Sequence, residues 1–394
     1  MDHNTYRLHL ESAANGAECL LPEAERLQRL ENLRAGMAGR DLDAVLLTDP
    51  ADIHYFSGYT TFEVSVYAGL LVTAVRCTLQ VPSIEMGPAV ITARCDEIIG
   101  YYWEEPESVT GPLLELLSGH GKLALDLWAP GLRAGLALQL EQQLGAKSLQ
   151  PLGDLVDRLR LIKSEYEIGL LRKSADLTGV GMAAATEASR SDVTEHQIAA
   201  VASHAMLAAG SEFMSLQPIV TSGPRSGVIH LNHSDRVIQP NESVFIEIGA
   251  VYRRYTAPMM RTVLTGPPSA DMQRTRDCCA ELQDVLCAHM RPGNRFDEAA
   301  HAAEEVLAPL ADEIFFSGVF GYAVGAQFPP SWVESTGFIA RKQTQWFAPG
   351  MVFHLPLCLR RPGHWGIGLS NTVLVGERET LPLTDNGFDL PVHA

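Results

Sequence analysis

A single carboxylate in the middle of an apolar run constrains this chain more than any other feature. Residues 243–263 read SVFIEIGAVYRRYTAPMMRTV. Around Glu247, the residues Val244, Phe245, Ile246 and Ile248 have the composition of a strand buried on both faces. An ionised carboxylate without a partner is very costly to bury. A chain keeps one there only with a partner, a proton or a task. The second half of the stretch returns with Arg253, Arg254, Tyr255, Pro258 and Arg261. A strand, a turn and a second strand are predicted, bringing the acid and several guanidinium groups near one another.

A chain of 394 residues is expected to hold two domains, because single cores seldom grow past about 250–300 residues. Hydrophobic content of 46% and charged content of 20% are ordinary for a soluble globular protein. A net charge of −17 argues against nucleic acid and anionic membrane as partners. Residues 1–16 lack a basic region followed by an apolar core, so no secretory signal is expected. No apolar run approaches the ~20 residues of a membrane span. The seven cysteines have no zinc-like spacing. Reduced, mostly structural thiols in a cytoplasm are therefore expected.

Pro22 opens a predicted helix with Leu27, Leu30, Leu33 and Met37 at helical spacing. A strand over 44–48 and a turn at Asp49-Pro50 follow. Further strands are expected over 69–75, 77–81, 98–102 and 123–127, then a helix over 131–144. This makes an α/β domain over residues 1–160. The charged segment 158–168 reads as a linker into a second domain, 161–394. There, helices are predicted over 165–187, 194–209, 270–290 and 296–310, with extended segments near 215–221, 244–249, 351–359 and 372–375. Gly321-Tyr322-Ala323-Val324-Gly325 lacks the Lys-Ser/Thr of a phosphate loop.

The pattern Glu247-x-Gly249, Arg254-Tyr255, Ala257-Pro258, Arg261-Thr262-Val263 resembles the metal-site hairpin of the creatinase/aminopeptidase P, or pita-bread, superfamily. The resemblance implies a creatinase/prolidase-type α/β N-terminal domain followed by an α+β pita-bread catalytic domain. Metal-using members hold two divalent ions with two Asp, one His and two Glu. Those five positions correspond here to Glu247, Pro258, Tyr322, Pro356 and Ser370. One charged oxygen ligand of five remains, so no metal and no other cofactor is expected. A metal-dependent Xaa-Pro peptidase is accordingly disfavoured.

His230 resembles the general acid/base histidine of creatinase. The arginines that hold creatine's carboxylate correspond to Val66 and Val333, and the glutamates that hold its guanidinium to Met260 and Pro356. Creatine is therefore not the expected substrate. The segment from Gly321 to Glu334, the Phe353-His354 pair and Glu247 are closest to ectoine hydrolase within the creatinase-like, metal-free branch. That likeness implies a metal-independent hydrolase that opens a cyclic amidine or amide C–N bond of a small zwitterion. Glu247 and His230 (or His233) would be catalytic. Tyr322, Trp332, Tyr255, His354, Phe62, His233 and Glu334 would bind substrate. A creatinase-like amidinohydrolase with another substrate and a catalytically dead binding protein are the alternatives. A cytoplasmic homodimer is implied by the same family.

Plainer roles compete with each of these. Glu247 could form a structural ion pair with Arg254 or Arg261. His230 and His354 could be hydrogen-bonded scaffold histidines. Trp332 could plug the core, Glu334 anchor its loop and Arg261 brace the hairpin. Phe62 and Trp103 could serve domain or dimer packing.

Overall fold

A computed structural model describes residues 1–385 and 387–393. The chain forms two compact units, Met1–Arg160 and Leu161–Ala394. The first is built on a mixed sheet of β1 (Ala44–Leu47), β2 (Gly69–Thr73), β3 (Cys77–Pro82), β4 (Glu97–Tyr101), β5 (Leu123–Leu125) and β6 (Leu149–Pro151), in the order β4-β3-β2-β1-β5-β6. β1, β2, β3 and β5 are buried throughout, and β1 and β5 accordingly read as unbroken apolar runs.

The helix Glu23–Gly39 buries Leu30, Leu33 and Met37, but Leu27 is 50% exposed. At about 100° per residue the first three share one narrow arc and Leu27 sits off its edge. The predicted turn at Asp49-Pro50 instead starts a helix, Pro50–Ser57. Asp49 Oδ1 accepts from Ala51 N at 2.7 Å, and Pro50 occupies the first turn, where its missing N–H costs nothing. A further helix, His3–Ala14, buries none of its side chains and leaves no apolar stripe to read.

The second unit begins with the helix Glu165–Ala188, capped by Ser164 and Glu167. Ser164 Oγ accepts from Glu167 N at 3.3 Å, and Glu167 Oε2 accepts from Ser164 N at 3.0 Å. The helix Glu195–Ala208 carries the same device through Thr194 and Gln197. These helices cover one face of an antiparallel sheet made of β7 (Ile219–Ser222), β8 (Ser243–Ile248) and β11 (Met259–Leu264), in the order β11-β8-β7. The extended segment begins at Ile219 rather than 215, because Pro218 has no N–H for a ladder. β9 (Val251–Tyr252) and β10 (Tyr255–Thr256) form a tight hairpin. Its turn residues, Arg253 and Arg254, have φ of 49° and 67°, as two-residue hairpin loops require.

The helices Ala270–His289 and Phe296–Leu307 pack with a second core that includes Leu282, Leu286, Phe296 and Phe353. Against them lie β12 (Tyr322–Ala323), β13 (Val352–His354), β14 (Cys358–Arg361), β15 (Trp365–Gly368), β16 (Thr372–Val375) and β17 (Thr380–Pro382). β12, β13, β16 and β17 make one sheet, and β14 with β15 another. Met260 and Ser370 form a bridge between the two halves of the unit. Among the described residues no helix is long and apolar enough to cross a membrane.

One ion pair inside this unit is fully enclosed. Lys163 Nζ lies 2.7 Å from Glu334 Oε2, with side chains 0% and 3% exposed. It ties the start of the unit to the loop that carries Trp332. Replacing one partner of such a pair strands a charge in a medium that solvates it poorly. Lys163→Met is expected to cost about 3–5 kcal/mol in denaturant unfolding. Lys163→Met combined with Glu334→Met should recover much of that loss. A Lys163→Met variant as stable as the parent would show that the pair contributes nothing.

Candidate functional site around Glu247

Strand alternation decides where Glu247 points. Val244, Ile246 and Ile248 enter the core beneath the two capped helices. Phe245 lies on the opposite face of β8, in a small cluster with Met260 and Cys358, and the period of two puts Glu247 on that same face. Its neighbours in the sheet are Met260 on β11 and Ile219 on β7. The glycine two residues on is needed for close approach. A Cβ on Gly249 would come within 2.7 Å of Thr256 Cγ2 and 3.2 Å of the Trp332 ring.

Glu247 keeps 7% of its surface, and its carboxylate has no hydrogen bond among the described residues. Burial pushes its pKa up to about 7, while the charge of Arg360 pulls it down. Neither predicted ion pair forms. Arg254 donates to Phe213 O, Ser215 Oγ and Gln327 O, and lies 3.5 Å from Glu212. Arg261 donates to Met260 O and Ser370 O at 2.7 Å each, to Asn371 Oδ1 at 3.0 Å and to Asp385 O, so it braces the hairpin.

Beside the acid runs a chain of polar groups. Trp332 Nε1 donates to the Tyr322 hydroxyl at 3.0 Å, and that hydroxyl lies 2.8 Å from His354 Nδ1. On the other side of the ring, His354 Nε2 lies 2.6 Å from Ser370 Oγ. The chain can be polarised in either direction, depending on the histidine tautomer. Burial drives the His354 pKa down to about 3, so the ring is neutral at ordinary pH. Burial raises the Tyr322 phenol well above its usual range, and the charge of Glu247 adds to the effect. The Cys358 thiol is pushed up to about 12, chiefly by burial.

Of the residues singled out in the sequence, Glu247, Tyr322, Trp332 and His354 come together. His230 does not join them: it is exposed, at φ 55°. His233 is also elsewhere, with Nδ1 2.7 Å from His196 Nδ1. Glu195 accounts for this. It accepts from Ser222 and Ser234 and pairs with Arg225, fastening the 222–234 segment over the start of its own helix. Tyr255 is buried with its hydroxyl committed to Glu167 Oε1 at 2.8 Å. Glu334 is the partner of Lys163. Phe62 belongs to the first unit, where it is 78% exposed. The sequence reading missed Arg360, and placed Ser370 only as a lost ligand position. The doubled arginine in the apolar strand Cys358-Leu359-Arg360-Arg361 was the available signal, since alternation must turn one of the pair inward.

The metal implied by the hairpin resemblance does not fit the donors present. Proline stands at two of the five positions, and the Tyr322 phenol and Ser370 hydroxyl are bound into the His354 chain. Among the described residues no group of three or more His, Cys, Asp or Glu could hold an ion.

Two buried titrations should oppose each other in the stability profile. Glu247 is protonated in the folded chain up to about pH 7 but ionises near 4.5 when unfolded, so its contribution is lost as pH rises through that window. His354 takes up a proton near 6.5 when unfolded and resists it when folded, so its contribution is lost as pH falls. Glu247→Gln should therefore gain on the parent by roughly 3 kcal/mol between pH 4.5 and pH 8. Denaturant unfolding at both pH values checks this, and an unchanged difference would refute the raised carboxyl.

Residues 29–162 match the Creatinase/Prolidase N-terminal domain, and residues 169–377 match Metallopeptidase family M24. The chain is 24% identical to the Xaa-Pro dipeptidase of Pyrococcus furiosus, covering 92% of this chain and 99% of that one. The solved prolidase of Pyrococcus horikoshii superposes with a TM-score of 0.80 at 22% identity, over 91% and 98% of the two chains. An X-Pro aminopeptidase of Thermotoga maritima gives a TM-score of 0.81 at 20% identity, over 92% and 99%. These findings overturn the expectation of a metal-independent, ectoine-hydrolase-like enzyme for non-peptide C–N bonds, together with its amidinohydrolase and dead-protein alternatives. They also reverse the disfavouring of the Xaa-Pro peptidase class, which is the class these relatives carry. The error has a physical origin: lost ligand positions report which donors are missing, not which bond is cut. With its creatinase/prolidase-type N-terminal domain and pita-bread catalytic domain, the chain belongs to metallopeptidase family M24.

Proposed function

We propose that this chain is a hydrolase of small peptides of the Xaa-Pro kind, working in the site around Glu247. The observation that carries the reading is a buried carboxyl held near pH 7 inside the span that matches the M24 family. The curated relatives named Xaa-Pro dipeptidase support the substrate class.

A carboxyl poised near neutrality suits general-base work. In this reading ionised Glu247 takes a proton from water as the water oxygen bonds to the scissile carbonyl carbon. The C–N bond then breaks, and the proton held by Glu247 passes to the leaving nitrogen. Tyr322, Trp332 and His354 wall the site and stay neutral, so they orient a substrate without competing for that proton. The reading assigns catalysis to residues 161–394 and takes the enzyme to be a homodimer.

Purified full-length protein should release proline from L-alanyl-L-proline or a related Xaa-Pro dipeptide. The assay is run both with Mn²⁺ or Co²⁺ supplied and under chelator. Glu247→Gln is expected to lower kcat by about 10²–10⁴ with little change in KM. The parental kcat/KM should rise with pH through about 7 as Glu247 loses its proton. Failure to release proline from any Xaa-Pro dipeptide in either condition would refute the function, as would binding without turnover.

A further inference from the structure

We propose that Arg360 is a carboxylate-binding residue of the Glu247 site, taking the C-terminal carboxylate of the substrate. The inference rests on the small-peptide reading above and adds a specific contact to it.

The side chain is 7% exposed, on a strand whose partner β15 lies close to β8. Its guanidinium carbon lies 5.6 Å from the centroid of the Phe245 ring, two residues along β8 from Glu247 and on the same face. It is near enough to Glu247 to lower that carboxyl's pKa. Yet its own hydrogen bonding is poor. Among the described residues Nη1 reaches only Cys358 O, at 3.5 Å, and buried Nε has no partner. No carboxylate lies within ion-pair distance of it among those residues.

Its neighbours show the contrast. Arg361 pairs with Asp271 at 2.6 Å, and Arg261 donates to four acceptors. A guanidinium offers five N–H donors in a planar fork that matches a carboxylate bidentately. Burying the Nε donor without a partner is costly unless something supplies the missing acceptor. In an Xaa-Pro dipeptide the terminal carboxylate lies only a few bonds from the scissile carbonyl. Arg360 and Glu247 both border the face of β8 that carries Phe245, so one small molecule on that face would meet both groups. Arg360 stands at neither position, Val66 or Val333, that corresponds to the carboxylate arginines of creatinase.

The test compares acid with amide. L-proline and L-prolinamide are titrated by calorimetry, and L-alanyl-L-proline and L-alanyl-L-prolinamide are compared as substrates. The parent is expected to prefer each acid over its amide at least tenfold. Arg360→Met should abolish that preference, and Arg360→Lys should keep part of it. The acid/amide comparison on the parent, with the lysine variant, covers a methionine variant that fails to fold. Equal handling of acid and amide by the parent, no binding of either, or full preference in Arg360→Met would each overturn the proposal. Turnover without acid preference refutes the clamp and leaves the peptidase reading standing. Arg360-dependent proline binding without dipeptide turnover does the reverse.

Discussion

Burying a charge is the constraint from which this site follows. β8 crosses the middle of its sheet with two apolar faces, and one of its six residues ionises. The neighbouring strands present Met260 and Ile219 at that residue, neither of which can donate a hydrogen bond from its side chain. Burial therefore holds the Glu247 pKa near 7 instead of 4.5, and the charge of Arg360 offsets only part of that rise. A fully paired glutamate would be a brace. This one retains a titration where a reaction can use it.

The polar residues around it divide into those already satisfied and those still free to act. Arg254 and Arg261 spend donors on backbone carbonyls and hold the hairpin together, although the buried Nε of Arg254 has no partner among the described residues. Trp332, Tyr322, His354 and Ser370 satisfy one another in a closed neutral chain. Tyr322 and Ser370, two of the positions that the hairpin resemblance assigned to metal ligands, are both hydrogen-bonded to His354. Family membership and donor set therefore speak to different questions. Kinship places the chain in metallopeptidase family M24, while the side chains show which charged groups lie buried near Glu247.

Local rules made much of the fold legible. The capping pairs Ser164/Glu167 and Thr194/Gln197 mark helix starts because their hydrogen bonds span only three residues. The apolar strands of the first unit read correctly because both of their faces are covered. The acid, the glycine and the arginines of the hairpin also came directly from residue order. Legibility failed where partners are distant in the chain. His230 was singled out by its likeness to the creatinase histidine, and residue order did not show that Glu195 gathers the surrounding segment and leaves it exposed. Nor does residue order show that the Tyr255 hydroxyl meets Glu167, 88 residues away.

By itself the sequence determined that a buried acid lies in a β-hairpin of an α+β domain, behind an α/β domain, with few conventional metal donors. These are properties of composition and short-range period, which need no knowledge of what lies across a cavity. Tertiary structure alone decided which cation faces that acid and which histidine joins its surroundings. The reason is geometric: β14 reaches β8 through a neighbouring strand over a separation of more than a hundred residues, and no local pattern encodes which side chain arrives there.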